Sequence, residues 1–145
     1  MEVKIVNKSG NELPEYGSQF ASGIDLRANL KESYVDLAPM ERSLIPTGIF
    51  IELPENCEAQ IRPRSGLASK HGITVLNSPG TIDADYRGEI KVLLINLSNE
   101  RFVIRNGDRI AQMVMAKYNH IDWVEVEVLQ DSARGENGLG STGVK

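Results

Sequence analysis

The stretch IKVLLINLSNERFVIRNGDRIAQMVM, residues 90–115, contains short apolar runs that alternate with polar residues. The runs occupy residues 90–97, 102–104 and 110–115, and each is followed or preceded by a polar turn-like segment. Their alternation has the period of two that is typical of strands and lacks the helical period. This stretch therefore predicts successive short β-strands and favours an all-β fold.

The same pattern continues on both sides of this stretch. Further strands are predicted at residues 3–5, 34–37, 44–45, 49–53, 59–61 and 123–129. WVEVEVL at 123–129 is the clearest of them, because its valines would share one face and its glutamates the other. About ten short strands with turns between them predict a jelly-roll-like β-sandwich or distorted barrel.

One short helix interrupts the strands. Ser65 is the expected N-cap, residues 66–71 the helix, and Gly72 its left-handed end. The residues after about position 130 have few apolar side chains, so they are not expected to join the core. We therefore expect a β domain of residues 1–130 and a flexible Gly-rich arm of residues 131–145.

Composition excludes several classes of function. A chain of 145 residues is one domain, and its net charge of −4 argues against nucleic-acid binding. No apolar stretch approaches the ~20 residues that span a membrane, and the first residues do not resemble a signal peptide, so a cytoplasmic protein is expected.

Cys57 has no disulfide partner, and with His71 and His120 it lacks metal-ligand spacing. Residues 61–92 carry five Lys or Arg against three Asp or Glu, which suits a small anionic ligand.

Two internal stretches suggest phosphate chemistry. In RPRSGLASKHG, residues 62–72, Arg62, Arg64 and the helix start could converge on a phosphate, or the arginines could be solvated beside a capped helix. In NSPGTIDADYRGEIKV, residues 77–92, Asp83 and Asp85 would share a face unless a turn separates them. Either carboxylate could be a general base, and both could be turn-formers.

Two other stretches raise specific questions. In ASGIDLRA, residues 21–28, Asp25 lies between apolar neighbours, so it should have a partner or an ion. In RGENGLGSTGVK, residues 134–145, the glycine spacing approaches that of a phosphate-binding loop but lacks the lysine and a following helix. The alternative for this tail is a solubilising terminus.

Five stretches in this order resemble the motifs of the trimeric dUTPases, the dUTP nucleotidohydrolases. They are residues 21–28, 62–72, 80–88, 109–115 and 134–143. The resemblance implies hydrolysis of dUTP to dUMP and pyrophosphate, with Asp83 as the carboxylate that deprotonates the attacking water. It implies Mg²⁺ on the phosphates, with Asp25 as a metal-site residue that holds the ion's water molecules and does not contact the ion directly.

The resemblance also implies how the substrate is bound. Asn77 matches the side chain that contacts uracil, and Tyr86 the ring that packs under deoxyribose. The residues that match phosphate or arm contacts are Arg64, Ser65, Gly66, Gln112, Arg134, Gly138, Leu139, Gly140, Ser141 and Thr142. A homotrimer with active sites at the subunit interfaces is implied, in which the C-terminal arm of one subunit covers a site built by others, so the tail needs no helix behind it.

Leu139 departs from the family pattern, which commonly has phenylalanine there, and Asn137 replaces the usual glycine. Base stacking on an aromatic ring contributes roughly 1–3 kcal/mol in other systems. We therefore expect Leu139→Phe to lower the KM for dUTP with little change in kcat. Steady-state kinetics of the two enzymes would check this, and an unchanged or higher KM would contradict it.

Two other functions remain open on the same fold. The related dCTP deaminases share parts of the second and third motifs, but they place a glutamate near the base where this chain has Asp-Ala-Asp-Tyr at 83–86. A nonhydrolytic nucleotide-binding regulator would not need the carboxylate of Asp83. Both alternatives are therefore disfavoured by the third motif.

Overall fold

The structure is a computed structural model that describes residues 1–136 and residue 138. The described residues form eleven strands and one helix, α1, Ser65–His71. The strands are β1 Lys4–Asn7, β2 Gly23–Arg27, β3 Tyr34–Leu37, β4 Arg42–Pro46, β5 Ile49–Glu52, β6 Cys57–Arg62, β7 Ile73–Val75, β8 Gly80–Ile82, β9 Lys91–Asn96, β10 Phe102–Arg105 and β11 Arg109–Lys117.

Antiparallel pairing joins these strands into small sheets. The largest has the order β2-β11-β6-β8, and β4-β9-β7 forms another. Two pairs, β1-β5 and β10-β3, complete the described sheets. The predicted all-β, jelly-roll-like fold with one short helix is confirmed.

The core is formed by side chains that these sheets direct inward. Leu26, Leu37, Ile45, Ile90 and Ile104 have no exposed side-chain surface and belong to one continuous apolar cluster. Burial of each contributes about 1.5–3 kcal/mol, so this cluster holds the short sheets together.

Most strand predictions are confirmed, including β9, β10 and β11 within residues 90–115. The sequence did not predict β2, β7 and β8, which have three to five residues each. With three residues each, β7 and β8 are too short to display an alternating pattern.

The prediction of a strand at residues 123–129 is wrong. This segment has no strand structure within the described chain, and its apolar side chains are exposed, with Trp123 at 88% and Val128 at 82%. The alternating pattern creates an apolar face, but a strand also needs a neighbouring strand for its backbone hydrogen bonds. The described part of this chain supplies no such neighbour after β11 ends at Lys117.

The helix prediction is confirmed at its end and wrong at its start. Gly72 is left-handed, with φ of 64°, and its N–H donates to the Ala68 carbonyl at 3.1 Å. The N-cap is Arg64, in extended conformation and without a side-chain cap, so Ser65 is the first helical residue. No helix in the described ranges has the length and apolarity needed to cross a membrane.

Candidate active site

Strand register aligns residues of distant motifs in one row across the largest sheet. Asp25 on β2 lies opposite Gln112 on β11, which in turn lies opposite Arg62 on β6. The preceding residue of β6, Ile61, lies opposite Gly80 on β8. Neighbouring strands are about 4.8 Å apart, so the whole row spans roughly 14 Å. This distance suits a site for one small molecule.

A cluster of one carboxylate and two guanidiniums occupies the β2 end of this row. Arg64 donates from Nε to Asp25 Oδ1 at 3.0 Å and from Nη2 to Oδ2 at 3.4 Å. Arg109 donates from Nη1 to Asp25 Oδ2 at 3.1 Å. The expectation that Asp25 has a partner is confirmed. The cluster carries a net positive charge, and its side chains are partly exposed, so it can attract an anion.

Sequence reasoning assigned no role to Arg109, although it opens the fourth motif. Arg62, by contrast, does not join the cluster. Its guanidinium donates to Gln60 Oε1 from Nε at 3.1 Å and from Nη2 at 2.5 Å. Arg62 and Arg64 therefore do not converge, because Gln60 binds one guanidinium and Asp25 binds the other.

The start of α1 lies beside this cluster. Gln112 donates from Nε2 to the Pro63 carbonyl at 2.9 Å, which ties β11 to the chain just before Arg64. Ser65 and Gly66 follow as the first helical residues, where backbone N–H groups have no partner within the helix. These N–H groups and Gln112 are thus adjacent to Arg64.

A second part of the site is a cavity of about 400 Å³ between β6, β8 and β9. Asn77, Gly80, Asp83 and Tyr86 line it. The chain turns at residues 83–86, where the Tyr86 N–H donates to the Asp83 carbonyl at 3.1 Å. Asp83 lines the cavity and Asp85 does not, so the turn separates the two carboxylates.

The remaining predicted residues lie in the C-terminal segment. Arg134 and Gly138 are exposed and do not line the cavity. Arg134 lies within a turn, in which the Gly135 N–H donates to the Ser132 carbonyl at 3.0 Å. Leu139, Gly140, Ser141 and Thr142, with Asn137, lie outside the described residues.

The donor set has consequences for a metal ion. Within residues 1–136 and 138, no group of three or more His, Cys, Asp or Glu side chains is arranged to hold one. Both Asp25 oxygens accept hydrogen bonds from arginines, but a carboxylate has about four lone-pair sites and can also accept from water. These residues fit Mg²⁺ that keeps its waters and is bound mainly through phosphate oxygens.

The fold and the residue types together define a jelly-roll-like β protein that has a cavity lined by Asn77, Asp83 and Tyr86 and a separate cluster of Asp25 with two arginines. The sequence matches the family model described as dUTPase over residues 10–143. Since this match covers most of the chain, the protein belongs to the dUTPase family.

Curated relatives and solved structures agree with this assignment. Deoxyuridine 5'-triphosphate nucleotidohydrolase of Cytophaga hutchinsonii is 68% identical over 141 residues, covering 97% of this chain and 91% of the relative. The enzyme of the same name from Finegoldia magna is 57% identical over 143 residues, covering 99% of each chain.

Among solved structures, a mutant dUTPase of Staphylococcus bacteriophage 80alpha with bound dUpNHpp has a TM-score of 0.88 and 26% identity, covering 99% of each chain. A mutant dUTPase from phage phi11 of S. aureus, which coordinates a structural Mg(II) ion, has a TM-score of 0.80 and 21% identity. That match covers 90% of this chain and 100% of the phage chain, and it supports the fold alone.

Proposed function

We propose that this protein hydrolyses dUTP to dUMP and pyrophosphate by attack of water on the α-phosphorus. The observation that carries the proposal is the position of Asp83, a carboxylate in the same cavity as Asn77 and Tyr86. The cavity lies beside β8, at one edge of the sheet, and the Arg64–Asp25 pair lies beside β2, at the opposite edge. The reaction would keep uracil out of DNA and supply dUMP for dTMP synthesis, and we place it in the cytoplasm.

Asp83 acts as general base in this proposal. A carboxylate within hydrogen-bond reach of the attacking water orients it and accepts its proton. Arg64, the N–H groups of Ser65 and Gly66, and the Gln112 amide bind phosphate oxygens. Because these donors belong to a helix start and a paired strand, they are in place before negative charge shifts onto the phosphates.

Mg²⁺, when bound with the triphosphate, neutralises phosphate charge. Asp25 would hold the hydrated ion through water, by accepting hydrogen bonds from the ion's water molecules. Its two arginine partners orient the carboxylate for this task.

Substrate selection is assigned to the cavity. Asn77 is the side chain proposed to pair with the polar edge of uracil, and its amide lies against Gly80, where a side chain would come within 3.3 Å of Nδ2. Tyr86 is proposed to pack against deoxyribose. A site built on hydrogen bonds rejects mismatched donors strongly, so discrimination against cytosine should be pronounced.

We further propose a homotrimer in which the C-terminal arm of one subunit covers a site built by others. The support is the exposed apolar side chains of Val124, Val126 and Val128, for which the described chain provides no cover. β1 has one strand neighbour, β5, in the described sheets, and it exposes Ile5 and Val6. Strand edges and apolar faces of this kind pair readily with another copy of the chain.

Val126→Gln should weaken the assembly, because it replaces an exposed apolar side chain by an amide in the proposed interface. Loss of a valine that the assembly buries corresponds to at least about a tenfold rise in the concentration at which subunits dissociate. Light scattering coupled to size exclusion, over a dilution series, would measure it against a parent mass of three times 16.0 kDa. Glu127→Gln is the matched control, since it introduces the same amide at a neighbouring exposed residue without removing an apolar side chain. Equal dissociation of both variants, or a monomeric parent, would contradict the proposal.

A product assay tests the function directly. Purified protein with Mg²⁺ would be given dUTP, UTP, dTTP or dCTP, and nucleotides and pyrophosphate would be quantified after chromatography. We expect dUMP and pyrophosphate from dUTP alone. Ammonia with dUTP from dCTP would identify a deaminase, and binding without turnover would identify a nucleotide-binding regulator.

A further inference from the structure

The ring of Tyr86 lies directly over Gly88. A Cβ atom at residue 88 would be 2.3 Å from the Tyr86 hydroxyl oxygen, 2.4 Å from Cζ and 2.9 Å from Cε2. Such distances are far inside van der Waals contact, which is about 3.5–4.0 Å between carbon atoms. The ring can occupy this position only because residue 88 has no side chain.

A hydrogen bond holds the same end of this side chain in place. The Tyr86 hydroxyl donates to the carbonyl oxygen of Glu89 at 3.1 Å. The ring therefore packs against Gly88, and its hydroxyl is hydrogen-bonded to Glu89. Of the three staggered χ1 positions open to a tyrosine, this pair of contacts selects one.

The segment that carries this carbonyl is itself fixed to the turn between β4 and β5. The Gly48 N–H donates to Glu89 Oε1 at 2.8 Å. The buried Thr47 hydroxyl donates to the Ile90 carbonyl at 2.6 Å, and the Ile90 N–H donates to the Ile49 carbonyl at 2.8 Å. Because Thr47 and Ile90 are almost fully buried, the acceptor for Tyr86 has little freedom to move.

The Tyr86 ring, held by this hydrogen bond, forms part of the cavity wall. Tyr86 is 44% exposed and lines the cavity with Asn77 and Asp83. In the proposed function, this ring packs against the sugar, where it leaves no place for a 2′-hydroxyl. The position of the ring therefore decides which sugar is accepted.

We propose that Gly88 is a positioning residue that sets the selectivity for deoxyribose. Because it has no side chain, the Tyr86 ring can occupy the position in which it packs against the sugar. The inference rests on the role proposed for Tyr86. It adds that selectivity requires an empty space at residue 88, together with the Glu89 carbonyl as the fixed acceptor.

Gly88→Ala tests the proposal, because a single methyl group must displace the ring. The readout is the ratio of the Kd of the ribose analogue UpNHpp to the Kd of dUpNHpp, which requires no hydrolysis. We expect this ratio to fall at least about tenfold, the size of effect typical of a misplaced binding contact. Gly10→Ala is the matched control, since nothing lies within 4 Å of a Cβ at Gly10, and it should leave the ratio unchanged.

A Tyr86→Ala background separates displacement of the ring from general damage. In Tyr86→Ala, adding Gly88→Ala should change the ratio of the two Kd values by less than about twofold. The reason is that the new methyl group has no ring to displace, so the two substitutions act independently. If Gly88→Ala alone fails to fold, the double variant should fold as Tyr86→Ala does, because the clash is gone.

Three results would overturn the inference. One is an unchanged ratio in folded Gly88→Ala, and another is an equal effect of Gly88→Ala with and without Tyr86. The third is a parent that hydrolyses dUTP but binds both analogues equally, which removes the role of Tyr86. A parent that discriminates between the sugars without hydrolysing dUTP would instead refute the proposed reaction and leave the role of Gly88 supported.

Discussion

Asp83→Asn will lower kcat for dUTP by about 10²–10⁴-fold, the range contributed by a positioned general base. The amide has nearly the same shape as the carboxylate, but it cannot accept the proton of the attacking water. Asp83 is exposed to the cavity, so its replacement should not disturb the apolar core. Single-turnover hydrolysis and dUpNHpp binding, measured on the same preparation, would separate chemistry from affinity.

Asp85→Asn is the control for this variant, since it makes the same change two residues along the chain. Asp85 belongs to the same turn but does not line the cavity. We expect it to keep the parent rate within a few-fold. Parental hydrolysis by Asp83→Asn, or an equal loss in Asp85→Asn, would refute the assignment of Asp83 as the base.

Arg64→Ala will reduce kcat/KM for dUTP by about 10²–10³-fold, the effect of removing one donor that stabilises developing charge. The variant loses a proposed phosphate contact. It also removes the guanidinium that donates to both oxygens of Asp25, leaving Arg109 as that carboxylate's remaining partner in the described chain. Arg64→Lys should recover only part of the loss, because an ammonium lacks the planar fork that contacts two oxygens at once.

Arg62→Ala is the matched control on the other side of Pro63. Its guanidinium is held by Gln60, so we expect kcat/KM within about threefold of the parent, as for ordinary surface substitutions. Steady-state kinetics on the three arginine variants would check the ranking. If Arg62→Ala and Arg64→Ala were equally impaired, the phosphate site would not be centred on Arg64.

The two variants should also differ in which kinetic constant changes. Asp83→Asn removes an interaction that acts only during reaction, so KM should stay near that of the parent. Arg64→Ala removes an interaction present before and during reaction, so KM should rise as kcat falls. This difference distinguishes the base from the phosphate contact.

The sequence predicted the long strands because their evidence is local. In β9, Val92, Leu94 and Ile95 are buried, and the apolar run at residues 90–97 identifies them without knowledge of the fold. The short strand β8 lacks such evidence. Residues 123–129 illustrate the converse, since their alternation is strong while the described chain offers them no strand to pair with. The apolar-polar alternation of the sequence thus indicates a tendency to form a strand, and the presence of a neighbouring strand decides whether one forms.

The candidate site divides in the same way. Residue types and spacing alone identified Asp25, Arg64 and Asp83 as chemically important, because an acidic residue among apolar neighbours and an arginine before a helix are local features. Spacing did not separate Asp83 from Asp85, because the answer depends on a turn that directs only Asp83 into the cavity.

The sequence by itself determined the fold class, the motifs and the residues able to perform the chemistry. Tertiary structure alone decided that Arg109 binds Asp25 across 84 positions of the chain. It also decided that the Tyr86 ring lies over Gly88, with its hydroxyl on the Glu89 carbonyl. The physical reason is that strand formation follows from local alternation, whereas these contacts depend on strand register and side-chain rotamers, which are set by packing of the whole chain.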